Sequence, residues 1–202
     1  MKARNPVVAG QFYPGSMNTC VDEIEECLGE VQIKEALPSS IDSAILPHAG
    51  WLFSGSVAAS GFKAISDRHD FVDTFVIFGA AHGYWGHEPV MDEHDRWLTP
   101  LGEVKVDEEL GEALAEERRA DYNSNAHRGE HSIEVQVPFV QHLFPKAKIL
   151  PVITGANDEA IKLGQVIGKI MSESDKKIVC LGSTDLTHYG PRYGIEIGRA
   201  HV

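Results

Sequence analysis

The chain has 202 residues, 43% of them hydrophobic and 24% charged, which is the make-up of one ordinary folded domain with enough apolar mass for a real core. Thirty acidic residues against 18 basic ones give a formal net charge of −12, which argues against nucleic acid or an anionic membrane surface as partner, since both select a basic footprint. Cys20, Cys27 and Cys180 are unclustered, with no CxxC pair, no signal-peptide pattern and no membrane-length apolar run, so buried thiols in a reducing, cytoplasmic setting are expected.

Residues 4–14 form an extended, aromatic-bearing lead-in, with Pro6 and Pro14 resisting helix. Asn18 or Thr19 can cap a helix to about Val31, with Cys20, Ile24, Cys27, Leu28 and Val31 along one face. A turn over 38–42 leads into a first strand over 43–47, and 54–66 reads as a helix with Val57, Ala58, Gly61, Phe62 and Ile65 inward. A second strand covers 74–79. Residues 83–97, rich in His, Trp and Gly, read as loop or short irregular strands, followed by a turn at 100–102 and a small strand over 103–106. Asp107 caps a helix to about Arg119, and a further helix opens at Glu130 and runs to Leu143 with an irregularity at Pro138. Strand over 148–154, helix over 157–172 and strand over 177–182 complete the pattern. Such alternation predicts an α/β fold, a mostly parallel central sheet flanked by helices, in a single domain over 1–202. Residues 194–202 follow the last polar motif with no closing helix or strand, so the domain is expected to lack a C-terminal segment.

Three of the apolar runs end in histidine. The strand over 43–47 leads to His48-Ala49-Gly50, that over 74–79 to His82-Gly83, and that over 177–182 to Asp185 and His188-Tyr189-Gly190. Open α/β sheets bind ligands at the carboxyl ends of their strands, so three imidazoles delivered there predict a site, with a metal as the natural occupant. Two of these have a plainer alternative: His48 as an ordinary loop histidine, and Ser183 or Asp185 as a turn cap. Glu130-His131-Ser132-Ile133-Glu134 fails as a zinc motif because HExxH needs two histidines four apart; ion pairing and capping compete with a role for His131 as a supporting group or proton carrier. His127 adds another imidazole, His87 and His94 read as solvated, and His69 between Arg68 and Asp70 reads as surface. No GxSxG, P-loop or GxGxxG is present, and Cys180 is too apolar in context for an activated thiolate. Histidines with a carboxylate and open positions suit iron, zinc or copper alike.

Taken in order, residues 8–14 (VAGQFYP), 47–51 (PHAGW) with Ser54-Gly55, 79–82 (GAAH), 130–134 (EHSIE) and 183–190 (STDLTHYG) resemble the MEMO family. That family is also called the AmmeMemoRadiSam system protein B family, and it is similar to class III extradiol (LigB-like) dioxygenases. The resemblance implies His48 and His82 as metal ligands and His188, beside Asp185, at the position of the dioxygenase acid–base histidine. His188 is also the candidate third ligand, and His188, Asp185 and His131 are the candidate catalytic groups. Family members take a further cysteine ligand from the C-terminal part of the chain; this sequence ends before that segment, and Cys180 does not match it. Ala80-Ala81 stands where the family often shows Pro-Ser, and Thr187 where Ser or Cys is common. The implied cofactor is iron or copper, with zinc possible, serving oxidoreductase-type or metal-handling chemistry on an unknown small molecule or peptide. A non-catalytic peptide- or ligand-binding protein using the same cleft, and a zinc-dependent hydrolase, are the alternatives.

Overall fold

A computed structural model describes residues 2–33 and 36–185; His188 and the sequence reading of 194–202 lie outside them. The elements run β1 (Ala3–Arg4), α1 (Met17–Gly29), β2 (Ser43–Leu46), α2 (Trp51–Ser66), β3 (Thr74–Gly79), β4 (Val90–Met91), β5 (Arg96–Thr99), β6 (Gly102–Lys105), α3 (Glu108–Glu116), β7 (Asp121–Tyr122), α4 (Ser124–His127), α5 (Val137–Leu143), β8 (Lys148–Ile153), α6 (Asp158–Glu173) and β9 (Ile178–Ser183), with one 3-10 turn at Glu134–Gln136.

Six strands form the central sheet in the order β2-β9-β3-β8-β4-β7. The pairs β2–β9, β9–β3 and β3–β8 are parallel, and β4 runs antiparallel to β8, so the sheet is mixed but mostly parallel. Val76, Ile77, Val179, Leu181, Leu150 and Val152 are all buried, as near-continuous apolar runs covered on both faces must be. The connection from β2 through α2 to β3 and that from β8 through α6 to β9 cross the sheet in opposite directions. Crossovers of this type are right-handed, which places α2 and α6 on opposite faces. On the α2 face, α1, α2 and α5 pack together over Ile24, Ala59, Phe62 and Phe139, with the rings of Phe62 and Phe139 stacked at 5.2 Å.

Local boundaries follow side-chain chemistry. The cap of α1 is Ser16, whose hydroxyl accepts from the Thr19 amide, and the helix buries Cys20, Ile24 and Cys27 as the spacing predicts. α2 begins at Trp51, three residues ahead of the sequence expectation. Its first amide donates to the Phe12 carbonyl at 2.7 Å and the buried indole N–H donates to the Val135 carbonyl at 3.0 Å. Asn157 caps α6 through the amides of Glu159 and Ala160.

Three expectations are corrected. No helix opens at Glu130: the segment turns, tightens into the 3-10 turn, and becomes helical only at Val137, so Pro138 stands in the first turn of α5, where its missing N–H costs nothing. His69 is not a surface residue but is buried, with Nε2 2.9 Å from the Ile41 carbonyl oxygen. Val57 does not face inward with Ala58, Phe62 and Ile65 but is 60% exposed. The small strand expected over 103–106 is present as β6, and it joins β5 and β1 in a second sheet, β1-β5-β6.

Gly79, at the carboxyl end of β3, decides how closely the 130s segment can approach. A Cβ there would lie 2.5 Å from Ile133 Cγ1 and 2.7 Å from Ser132 Oγ, both in buried residues. Gly79→Ala is therefore expected to destabilise the fold by about 1–3 kcal/mol, read as a lowered urea midpoint at unchanged m-value; a midpoint equal to the parent's would show that the segment can yield.

Candidate metal centre

The parallel register sets the ends of β2, β9 and β3 side by side, so the residues leaving them share one rim of the sheet. His48 leaves β2, His82 leaves β3 and Asp185 leaves β9. The third imidazole comes from a different quarter. His131, in the turn ahead of α5, lays its ring almost parallel to that of His82, with centroids 4.7 Å apart and planes at 14°. His48 stands edge-on to both, at 5.3 Å from His82 and 5.6 Å from His131. One ring nitrogen from each lies within 4.8 Å of the other two, a grouping that could hold a metal ion.

The surroundings orient these rings. Glu130 places Oε1 3.0 Å from His82 Nδ1 and accepts the backbone N–H groups of His82, His131 and Ser132. Burial alone would raise the Glu130 carboxyl; hydrogen bonds from Ser132 and His82 more than offset that and hold it below the usual carboxylate range. An ionised Glu130 assigns the His82 proton to Nδ1 and leaves Nε2 as the free donor. His48 Nδ1 lies 3.4 Å from Ser183 Oγ, whose own proton goes to the Ser132 carbonyl at 2.6 Å, so the hydroxyl accepts from Nδ1–H and the same tautomer results. Gln136 locks the frame, its amide donating to the Pro47 carbonyl at 2.8 Å and to Ser183 Oγ at 2.9 Å. Asp185 Oδ1 accepts the His48 backbone N–H at 2.8 Å, and its Oδ2 lies 3.8 Å from His48 Nε2.

Of the residues singled out from sequence, His48, His82, His131 and Asp185 are brought together; His188 lies outside the described residues. His127 is buried elsewhere, with Nε2 3.1 Å from the Val90 carbonyl oxygen, and His94 pairs with Asp92 at 2.7 Å; the expectation that His94 is merely solvated is corrected by that buried partner. Burial pushes the Cys180 thiol up to about 11, Cys27 to about 11 and Cys20 to about 12, so all three stay protonated at neutral pH, and none belongs to the cluster. The approach of His131 had no clear sequence signal: helical spacing grouped it with Glu130 and Glu134, whereas in the structure residues 130–132 precede the 3-10 turn in non-helical chain.

Burial lowers the pKa of His48, against the opposing pull of Asp185, and likewise lowers those of His131 and His127. A histidine kept neutral in the native state but protonated when unfolded adds stability above its unfolded pKa of about 6.5 and loses it as pH falls below that value. The metal-free protein is thus expected to weaken steadily between pH ~7 and pH ~5.5, and His131→Gln to show a shallower decline in urea midpoint. Identical slopes would mean that His131 titrates as freely as in the unfolded chain.

The chain matches the Memo-like protein family over residues 4–201. It is 42% identical over 192 residues to a MEMO1 family protein of Methanococcoides burtonii, covering 94% of this chain and 69% of that one. It is 40% identical over 206 residues to a MEMO1 family protein of Thermococcus onnurineus, covering 98% and 70%, and 37% identical over 202 residues to one of Methanococcus maripaludis, covering 94% and 71%. With its fold, its histidine rim and these relatives in agreement, the chain belongs to the Memo-like protein family.

Proposed function

We propose that this protein binds a redox-active transition metal, iron or copper, through His48, His82 and His131, for oxidoreductase-type or metal-handling chemistry. The observation that carries this reading is the convergence of three imidazole nitrogens within 4.8 Å, two of them on rings whose Nδ1 is already committed to Glu130 or Ser183. Neutral imidazoles suit iron, copper and zinc; the choice of a redox metal rests on the family resemblance. A bound ion would supply Lewis acidity and a redox couple. The chain's own residues would do the rest: Glu130 holds His82 in its donor tautomer, and Asp185, beside His48, is placed to accept or hold a proton. His188 is proposed as an acid–base group on the resemblance alone.

A second reading, a ligand- or peptide-binding cleft without turnover, is favoured by two apolar side chains in the first turn of α2, close after His48. Leu52 and Phe53 are 87% and 82% exposed, unusual for large hydrophobics on a folded surface.

Metal content after anaerobic purification separates these readings. One equivalent of iron or copper in the parent protein, lost in a His48→Ala/His82→Ala double variant, is the expected result. His131→Ala alone is expected to weaken affinity by more than about tenfold. Tight zinc with no iron or copper would favour hydrolytic chemistry. No metal in the parent would sink the metal reading and leave the cleft as a binding surface.

A further inference from the structure

Arg4 lies far from the histidines in sequence, in the two-residue strand β1, yet its side chain is buried and all three of its nitrogens have protein acceptors. Nη1 meets Glu134 Oε2 at 2.8 Å. Nη2 donates to the carbonyl oxygens of Glu130 at 2.7 Å and His127 at 3.2 Å, and Nε reaches the same His127 carbonyl at 3.4 Å. Above Trp97, Cζ stands 4.0 Å from the ring centroid. Glu134 is fixed in turn, taking the N–H groups of Val7 and Val8 and the Tyr13 hydroxyl. The guanidinium is therefore held on one side by an anchored carboxylate and grips, on the other, the turn that carries Glu130. The planar fork delivers these bonds from three separate nitrogens, whereas a lysine ammonium would have to make all its bonds from one and cannot keep the same reach to each acceptor.

We infer that Arg4 is a positioning residue for the histidine cluster: by holding the carbonyls of His127 and Glu130 it fixes the turn from which Glu130 orients His82 and engages the amides of His82, His131 and Ser132. A residue that merely neutralised Glu134 would need its charge but not its shape. Arg4→Lys separates the two roles, because it keeps a cation near Glu134 and gives up the two-carbonyl grip.

The first readout uses metal-free protein, so it does not depend on the metal reading. Hydrogen exchange at the amides of His82, His131 and Ser132 is expected to quicken by about tenfold in Arg4→Lys, while Val179 and Leu181 in the central sheet keep the parent rates. The second readout, which does rest on that reading, is titration with Co(II) alone. Affinity about tenfold weaker, with an altered ligand-field spectrum, is expected in the folded variant. Parent-like exchange at the three amides overturns the inference, and so does acceleration spread equally over the sheet, which would mean a purely stabilising role. Should Arg4→Lys fail to fold, Glu134→Gln serves instead. Glu134 hydrogen-bonds none of the three histidines, so faster exchange at the same three amides supports the inference and unchanged exchange overturns it. If the parent protein takes up no Co(II), the metal reading fails while the exchange experiment still decides the role of Arg4.

Discussion

One hydroxyl, Ser183 Oγ, stands where three separate stretches of chain have to agree. It donates to the Ser132 carbonyl, accepts from the Gln136 amide, and lies beside His48 Nδ1, so the ends of β2 and β9 and the segment ahead of α5 meet at a single atom. Parallel pairing alone brings strand ends to a common rim, but it does not determine what sits over that rim. Here the Ser183 junction does so, together with the Ala80 amide on Ser132 Oγ and the Trp51 indole on the Val135 carbonyl. A buried polar junction of this kind contributes stability only when its members are satisfied together, which ties the geometry of the imidazoles to the integrity of the core beneath.

The same logic governs charge. The protein is strongly acidic, yet Glu130, Glu134, Asp92 and Asp107 are carboxylates taken out of water, each surrounded by donors. Asp92 receives the Trp97 indole N–H, the Ser124 hydroxyl and His94; Asp107 caps α3 and receives the Thr74 hydroxyl. Burying a carboxylate is tolerable only with such solvation by the chain itself. Two of the four lie at the cluster or its supports, Glu130 on His82 and the amides of His131 and Ser132, and Glu134 on Arg4. The acidic balance of the whole chain thus reflects surface, while the few inward-facing acids are structural tools.

Much of this was legible in the sequence because it is local. Apolar runs bounded by Gly or Pro identified the long strands, and His48 and His82, which follow two of them, identified the rim, since strand direction alone decides which end a trailing residue reaches. What escaped was non-local. β1, β4 and β7 are two residues long and have no periodicity to read; they exist because distant backbone offers them hydrogen bonds. His69 looks exposed between Arg68 and Asp70, and only the fold reveals that the chain at Ile41 covers it. Glu130 and Glu134 look like a matched helical pair four apart, but without a helix they part company, one turning to His82 and the other to Arg4. Pro138 reads in sequence as an irregularity within that helix, and its place as a helix starter emerges only from where α5 begins.

The imidazoles are unequally sheltered. The side chain of His82 is 47% exposed, that of His131 23% and that of His48 3%. The cluster therefore has a direction as well as a centre. Anything arriving from bulk water meets His82 first, then His131, and reaches His48 only at the closed end. It passes outside the stacked pair, because the His82 and His131 rings, 4.7 Å apart, leave no room between their faces. Hydration would be shed in stages in that order rather than all at once, and departure would reverse it, with the most exposed imidazole the last to let go.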